Sequence, residues 1–199
     1  MRSQRPSRHP RLAPFALLAL LALAACESTS QHETTASYPE IVASSFGEMR
    51  NVSVTGSIWF GTTPTIADLE LAERRGIERV IDLSTPGEES ECDVAGVCGE
   101  LGLEYLMAAN DSGDVVADHC VDLVLGWLRE GQPTLMFDGS GGRCATYVAI
   151  HRAADLGVPL EAALVEARRA GMKPGEPEIF VAEQVSRLTS AAGGAAVAP

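Results

Sequence analysis

Residues 133–143, PTLMFDGSGGR, constrain this chain more than any other stretch. An apolar strand runs into a glycine-rich turn that ends in arginine, and a helical pattern follows from Cys144. A strand, tight turn and helix in this order aim several backbone N–H groups at one point, beside the positive end of a helix dipole. Such a turn is an anion nest: Gly139, Ser140, Gly141 and Gly142 supply the backbone, and Arg143 adds a planar clamp suited to phosphate. Asp138 is the anomaly, a negative side chain at the mouth of a loop built to receive a negative ligand.

The N-terminus carries a different kind of signal. Arg2, Arg5, Arg8 and Arg11 precede the apolar run 12–25, which ends in Leu-Ala-Ala ahead of Cys26. A basic region, a short hydrophobic region and small residues before the cut read as a secretory signal over 1–25, too short for a comfortable transmembrane span. The cysteine directly after the small residues resembles the bacterial lipobox, which implies lipidation of Cys26 and a membrane anchor. Glu27 in place of aspartate favours the outer membrane, facing the periplasm. Loss of four arginines takes the net charge from −12 to −16, and Lys173 is the single lysine. So acidic a body argues against a nucleic-acid partner and disfavours electrostatic docking to anionic lipid.

Residues 26–45 are polar and aperiodic and read as a tether, 46–190 as the folded body, and 191–199 as a disordered tail. Within the body, 52–54 and 57–60 flank Thr55-Gly56 as a hairpin. Helices are expected over 66–75, 92–101, 115–130, 144–156, 160–170 and 178–189, and strands over 78–83, 103–107 and 134–137. The alternation predicts an α/β three-layer sandwich, a mostly parallel central sheet with helices on both faces. Four cysteines remain after Cys26. In an exported protein they allow two disulfides in three pairings, with Cys92–Cys98 favoured by the short loop between them. No C-x-x-C or histidine cluster suggests a metal, and nothing in the sequence calls for a cofactor.

Three ordered blocks carry a family resemblance. GTTPTIADLELAERRGIERVIDLSTPGEES (61–90), ELGLEYLMAAN (100–110) and LMFDGSGGRCA (135–145) resemble the β-lactamase-hydrolase-like phosphatases. These are a bacterial branch of the protein tyrosine/dual-specificity phosphatase fold. The first block matches the family's G-x-x-P-T turn, its helix ending in glycine, and its V-I-x-L strand followed by a glutamate. The third resembles the catalytic loop, which usually reads H-C-x-S-G-x-R-S. There the cysteine attacks phosphorus as a thiolate, arginine and amides hold the oxygens, and an aspartate protonates the leaving group.

The resemblance carries over Ser140, Gly141 and Arg143, but places Asp138 at the nucleophile, Phe137 at the preceding histidine and Cys144 after the arginine. Asp111, with Asp114 beside it, is the candidate general acid. Two unit charges ~4 Å apart repel by about 4 kcal/mol at an effective dielectric of about 20, hence roughly 8 kcal/mol between Asp138 and a phosphate dianion. The alternative to nucleophilic chemistry is that the Asp138 carboxylate fills the nest as a helix cap. Cys144, just past the loop, reads as a buried thiol or disulfide partner. His119, His151, Trp59 and Trp127 read as ordinary helix or core residues. The expected function is that of a catalytically impaired binding or scaffolding module in the cell envelope. The competing expectation is an active phosphoester hydrolase using the Arg143 loop, and a redox role for Cys92 and Cys98 is a third.

Overall fold

In a computed structural model of the chain, the residues described are 38–88, 90, 92–108 and 118–195, with no side-chain description beyond 191. The sheet has six strands: β1 (Val42–Ala43), β2 (Ser53–Thr55), β3 (Ile58–Thr62), β4 (Arg79–Asp82), β5 (Glu104–Met107) and β6 (Thr134–Asp138). Their order across the sheet is β1-β2-β3-β6-β4-β5. The pairs β1–β2 and β2–β3 are antiparallel, and β3–β6, β6–β4 and β4–β5 are parallel. Parallel neighbours need crossovers, and helices supply them. These are α1 (Ile66–Arg74), α2 (Val94–Leu101), α3 (Asp118–Arg129), α4 (Gly142–Ala154), α5 (Leu160–Arg169) and α6 (Glu176–Ala195).

The two-residue period of the strands divides the apolar side chains into two cores. Ile58, Phe60, Ile81 and Met136 face one way and pack with Val121, Val124 and Leu125 of α3, the buried stripe of α4, and residues of α5 and α6. Val80, Leu135 and Phe137 face the other way, onto Leu69 and Ala72 of α1 and Val94 and Cys98 of α2. The result is the expected three-layer sandwich around a mostly parallel sheet. Trp59 and Trp127 are partly buried at the margins of the two cores, where Arg75 lies over the Trp59 ring and Arg79 over the Trp127 ring.

Two boundaries differ from the sequence reading. The sheet begins before residue 46: Val42 and Ala43 pair with Val54 and Ser53, and Ile41 is buried. Distant polar groups hold this short edge strand. The Ile41 N–H donates to Glu166 Oε2 at 3.0 Å, and the Pro39 carbonyl accepts from the Thr55 hydroxyl and from Arg152. At the other end α6 continues to Ala195, into the segment read as a tail. The helix after the glycine-rich turn starts at Gly142, so the turn and the first helical turn overlap. Helix α1 ends as anticipated, with Gly76 at φ +73° after a capping box of Thr65 and Asp68 at its start.

Candidate functional site: the loop between β6 and α4

The carboxyl ends of β3, β4 and β6 converge where β6 delivers Asp138 to the loop 139–142. Asp138 pairs in register with Thr62 and is fully buried. Its carboxylate is the focus of the loop. Oδ1 accepts from the Ser140 N–H at 2.7 Å, the Gly141 N–H at 2.8 Å and the Ser140 hydroxyl at 3.0 Å. Oδ2 accepts from the Cys144 N–H at 2.9 Å. Three backbone donors of the turn and helix start are thus spent on a side chain of the same loop. A buried carboxylate is tolerated because those charge-assisted bonds and the α4 dipole replace its hydration.

The loop conformation depends on its glycines at two places. Gly141 has φ +84°, the left-handed region, which brings its N–H round to Asp138. A Cβ at Gly139 would lie 2.7 Å from Oε1 of Glu88. That contact reveals a second carboxylate lying over the loop. Asn51 braces the opposite side, its Nδ2 donating to the Ser140 carbonyl at 3.1 Å.

Glu88 comes from the β4–α2 connection and occupies the Arg143 fork. Arg143 Nη1 donates to Oε2 at 2.9 Å and Nη2 to Oε1 at 3.2 Å, while Nη1 also donates to the Leu83 carbonyl at 2.6 Å. The Thr85 N–H adds a bond to Oε2 at 2.9 Å. The Arg143 guanidinium holds the Glu88 carboxyl down at about 2, against the opposing effect of burial. Burial acts against the Arg143 charge, but Glu88 and Asp138 outweigh it and leave the guanidinium more firmly protonated.

The remaining nucleophile candidates are similarly engaged. Cys144 has no exposed surface, and burial followed by the nearby Asp138 pushes its thiol well above the ordinary range. A thiol in that state is inert. Ser140 uses its hydroxyl as donor to Asp138 and acceptor from the Gly142 N–H at 3.2 Å. Cys92 and Cys98 are free thiols in this structure, both against the α1–α2 core, with Cys98 pushed up to about 11 chiefly by burial. His151 is buried with Nδ1 2.8 Å from Asp155, and His119 is exposed on α3; neither approaches the loop as a hydrogen-bond partner. Cys26, Asp111 and Asp114 lie outside the described residues. Among the described residues no cluster of His, Cys, Asp and Glu is placed to hold a metal ion, and no helix is long and apolar enough to cross a membrane.

Sequence reading brings Asp138, Gly139, Ser140, Gly141, Gly142 and Arg143 together, and the structure does the same. It misses Glu88, which is 55 residues from Arg143 in the chain. The signal was present in the glutamate that follows the V-I-x-L strand of the first resembling block, but sequence does not say which side chain that glutamate meets.

With this geometry in view, the architecture is that of the protein tyrosine/dual-specificity phosphatase fold. The chain is similar to TpbA of P. aeruginosa, at 19% identity over 77% of this chain and 96% of that one, with a TM-score of 0.61. It is also similar to the core catalytic domain of the PP-IP phosphatase SIW14 from S. cerevisiae, at 20% identity over 73% and 94% of the two chains, TM-score 0.57. A putative phosphatase from Shewanella putrefaciens aligns at 13% identity over 70% and 93%, TM-score 0.57. No protein-family model and no curated protein matches the sequence. At these identities the likeness speaks for the fold.

Proposed function

We propose that this chain is a membrane-anchored lipoprotein whose phosphatase-like domain is a binding or scaffolding module without phosphatase turnover. One observation carries the reading: both anion-receiving halves of the loop are filled from within, the amides by Asp138 and the Arg143 fork by Glu88. A substrate phosphate needs the same amides and the same fork, so it has to displace two carboxylates before any chemistry begins. Asp138 stands where the resembling family keeps its nucleophilic cysteine, yet its oxygens are buried and hydrogen-bonded, and it repels a dianion. Cys144 is too deeply buried to take over as thiolate.

Cys26 is the proposed lipid attachment and the cell envelope the proposed site, with the outer membrane facing the periplasm favoured by Glu27. The proposed partner is another envelope protein, met by a strongly acidic surface. TpbA is known in complex with pTyr; for this chain the expectation is that pTyr is neither bound nor hydrolysed.

The test is hydrolysis of an aryl phosphate by the full chain beside Arg143→Ala. Equal and background rates support the proposal. Turnover that Arg143→Ala abolishes overturns it and returns the domain to the phosphoester hydrolases. Loss of lipid labelling and membrane fractionation in Cys26→Ser tests the anchor separately.

A further inference from the structure

Two hollows lie outside the Arg143 loop. One, a pocket of about 410 Å³ at the carboxyl ends of β4 and β5, contains Asp82, Ser84, Asp93 and Tyr105. Its Ser84 Oγ is covered by neighbouring atoms, and its charged side chains, Asp82 and Asp93, are both acidic. The other, of about 350 Å³, lies at the opposite end of the sheet, where β3 begins at Ile58 and helices α3 and α4 end. That volume is within the usual range for small-molecule sites. It differs from the first in holding guanidinium groups and a reachable polar atom that has no bond.

That atom belongs to His151, which lines the hollow and is 5% exposed. Its Nδ1 lies 2.8 Å from Asp155 Oδ2, one helical turn further along the chain. Burial opposes the Asp155 charge, but the bonds from His151 and Arg129 outweigh it and hold the carboxyl below its ordinary range. An ionised carboxylate only accepts, so Nδ1 carries the proton between them. Nε2 is left over, and it makes no hydrogen bond among the described residues. Nor is it sealed: the fully covered, unbonded side-chain atoms are Ser84 Oγ and Arg152 Nε, and Nε2 is not one of them. A ring nitrogen on a buried side chain that keeps surface in a hollow and lacks a partner calls for one.

Arg129 stands at the same wall. Its Nε and Nη2 donate to Asp155 Oδ1 at 3.0 and 2.9 Å, and its Nη1 has no partner among the described residues. Arg152 lends charge without contact. Its Nη1 donates to the Pro39 carbonyl and to Thr55 Oγ1, its Nη2 pairs with Glu166 at 3.0 Å, and its Nε is covered. Asp155 and Glu166 thus balance the two guanidiniums, and a proton on His151 Nε2 turns the hollow positive within a chain of net charge −12. The apolar wall is aliphatic, from Ile58, Leu128 and Leu156.

We propose that this hollow binds a short-chain aliphatic monocarboxylate, its oxygens accepting from His151 Nε2–H and Arg129 Nη1–H and its chain lying along Ile58, Leu128 and Leu156. His151 takes up a proton from solvent as the anion enters, which supplies the Nε2–H. Selectivity follows from the same groups. A dianion leaves a surplus negative charge, an ammonium meets two guanidiniums, and a neutral amide forfeits the charge-assisted bond.

The experiment is calorimetric titration of the full chain with hexanoate, beside hexanamide as the neutral control and hexylammonium as the cationic one. Saturable binding of hexanoate is expected, with the other two weaker by about tenfold or more. Titrations near neutral pH in two buffers of different ionisation enthalpy should report proton uptake. Affinity for hexanoate should rise about tenfold from about pH 8 to about pH 6, as His151 protonates. Arg129→Met, at a half-exposed position, should weaken binding about threefold. His151→Gln, which can still donate to Asp155, should abolish both the proton uptake and the pH dependence. The proposal is overturned if hexanoate gives no saturable heat, if hexanamide binds as tightly, or if binding takes up no proton.

Discussion

The loop at 138–143 and the pocket beside it at 82–105 share one connecting segment, yet they are opposites in charge satisfaction. In the loop every charged group has an internal partner: Asp138 takes three amides and a hydroxyl, and Arg143 takes Glu88 and a carbonyl. In the pocket, among the described residues, Asp82 forms no ion pair and the buried Ser84 Oγ has no hydrogen-bond partner. A loop with the shape of an anion receptor is therefore closed, and polar groups without partners remain in the cleft beside it. Geometry inherited from a fold says where a site can be; the state of its hydrogen bonds says whether it is available.

The largest effect that would sharpen this contrast is removal of the loop's internal anion. Asp138→Ala leaves three amides without an acceptor, those of Gly141 and Cys144 buried, and should cost roughly 3 kcal/mol in urea unfolding. Added tungstate should restore part of that loss by binding the vacated amides. A loss below about 0.5 kcal/mol would show that the carboxylate is not what holds the loop.

Acid should open the second half of the lock. Glu88 has an ordinary value of 4.5 when unfolded and about 2 when folded, so its contribution is complete above 4.5 and is lost as pH falls toward 2. The expected loss, on the order of 2 kcal/mol, should be absent in Glu88→Gln when stability is followed against pH. At neutral pH, by the same sign, the latch is fully engaged.

Smaller again is Gly139→Ala. Its new Cβ meets the Glu88 carboxylate at 2.7 Å, but that group ends a flexible side chain and can withdraw. About 1 kcal/mol is expected by thermal unfolding, and none in a Glu88→Ala background, since the two share one contact. Last, thiol reagents should modify partly exposed Cys92 at least tenfold faster than Cys144 in the folded chain, with Cys144 reacting only on unfolding. Fast modification of Cys144 would mean that the loop opens far more than its hydrogen bonds imply.

Much of this arrangement was legible in the sequence because it is local. The run of strand, Gly-Ser-Gly-Gly and arginine dictates the β6–α4 turn, and the alternation of Leu135, Met136 and Phe137 assigns two faces to one strand. That an Asp at 138 can cap the following amides is likewise a short-range consequence of side-chain length. What sequence withheld is set by distant partners. Edge strand β1 depends on Glu166 and Arg152, 125 and 113 residues away along the chain from their contacts at Ile41 and Pro39. Glu88 sits in a loop whose residues show no period, and only the fold brings it to Arg143. Ser84 opens that same loop, and only the structure shows its hydroxyl buried and, among the described residues, without a hydrogen-bond partner.

The central claim, that the Arg143 loop carries its own anions, is tested most directly by calorimetric titration of the full chain with tungstate, beside Asp138→Ala and Arg143→Ala. The account predicts no heat of binding in the unaltered chain and saturable binding once Asp138 is removed. Saturable binding by the unaltered chain that disappears in Arg143→Ala would contradict it, because the cradle would then be open to phosphate.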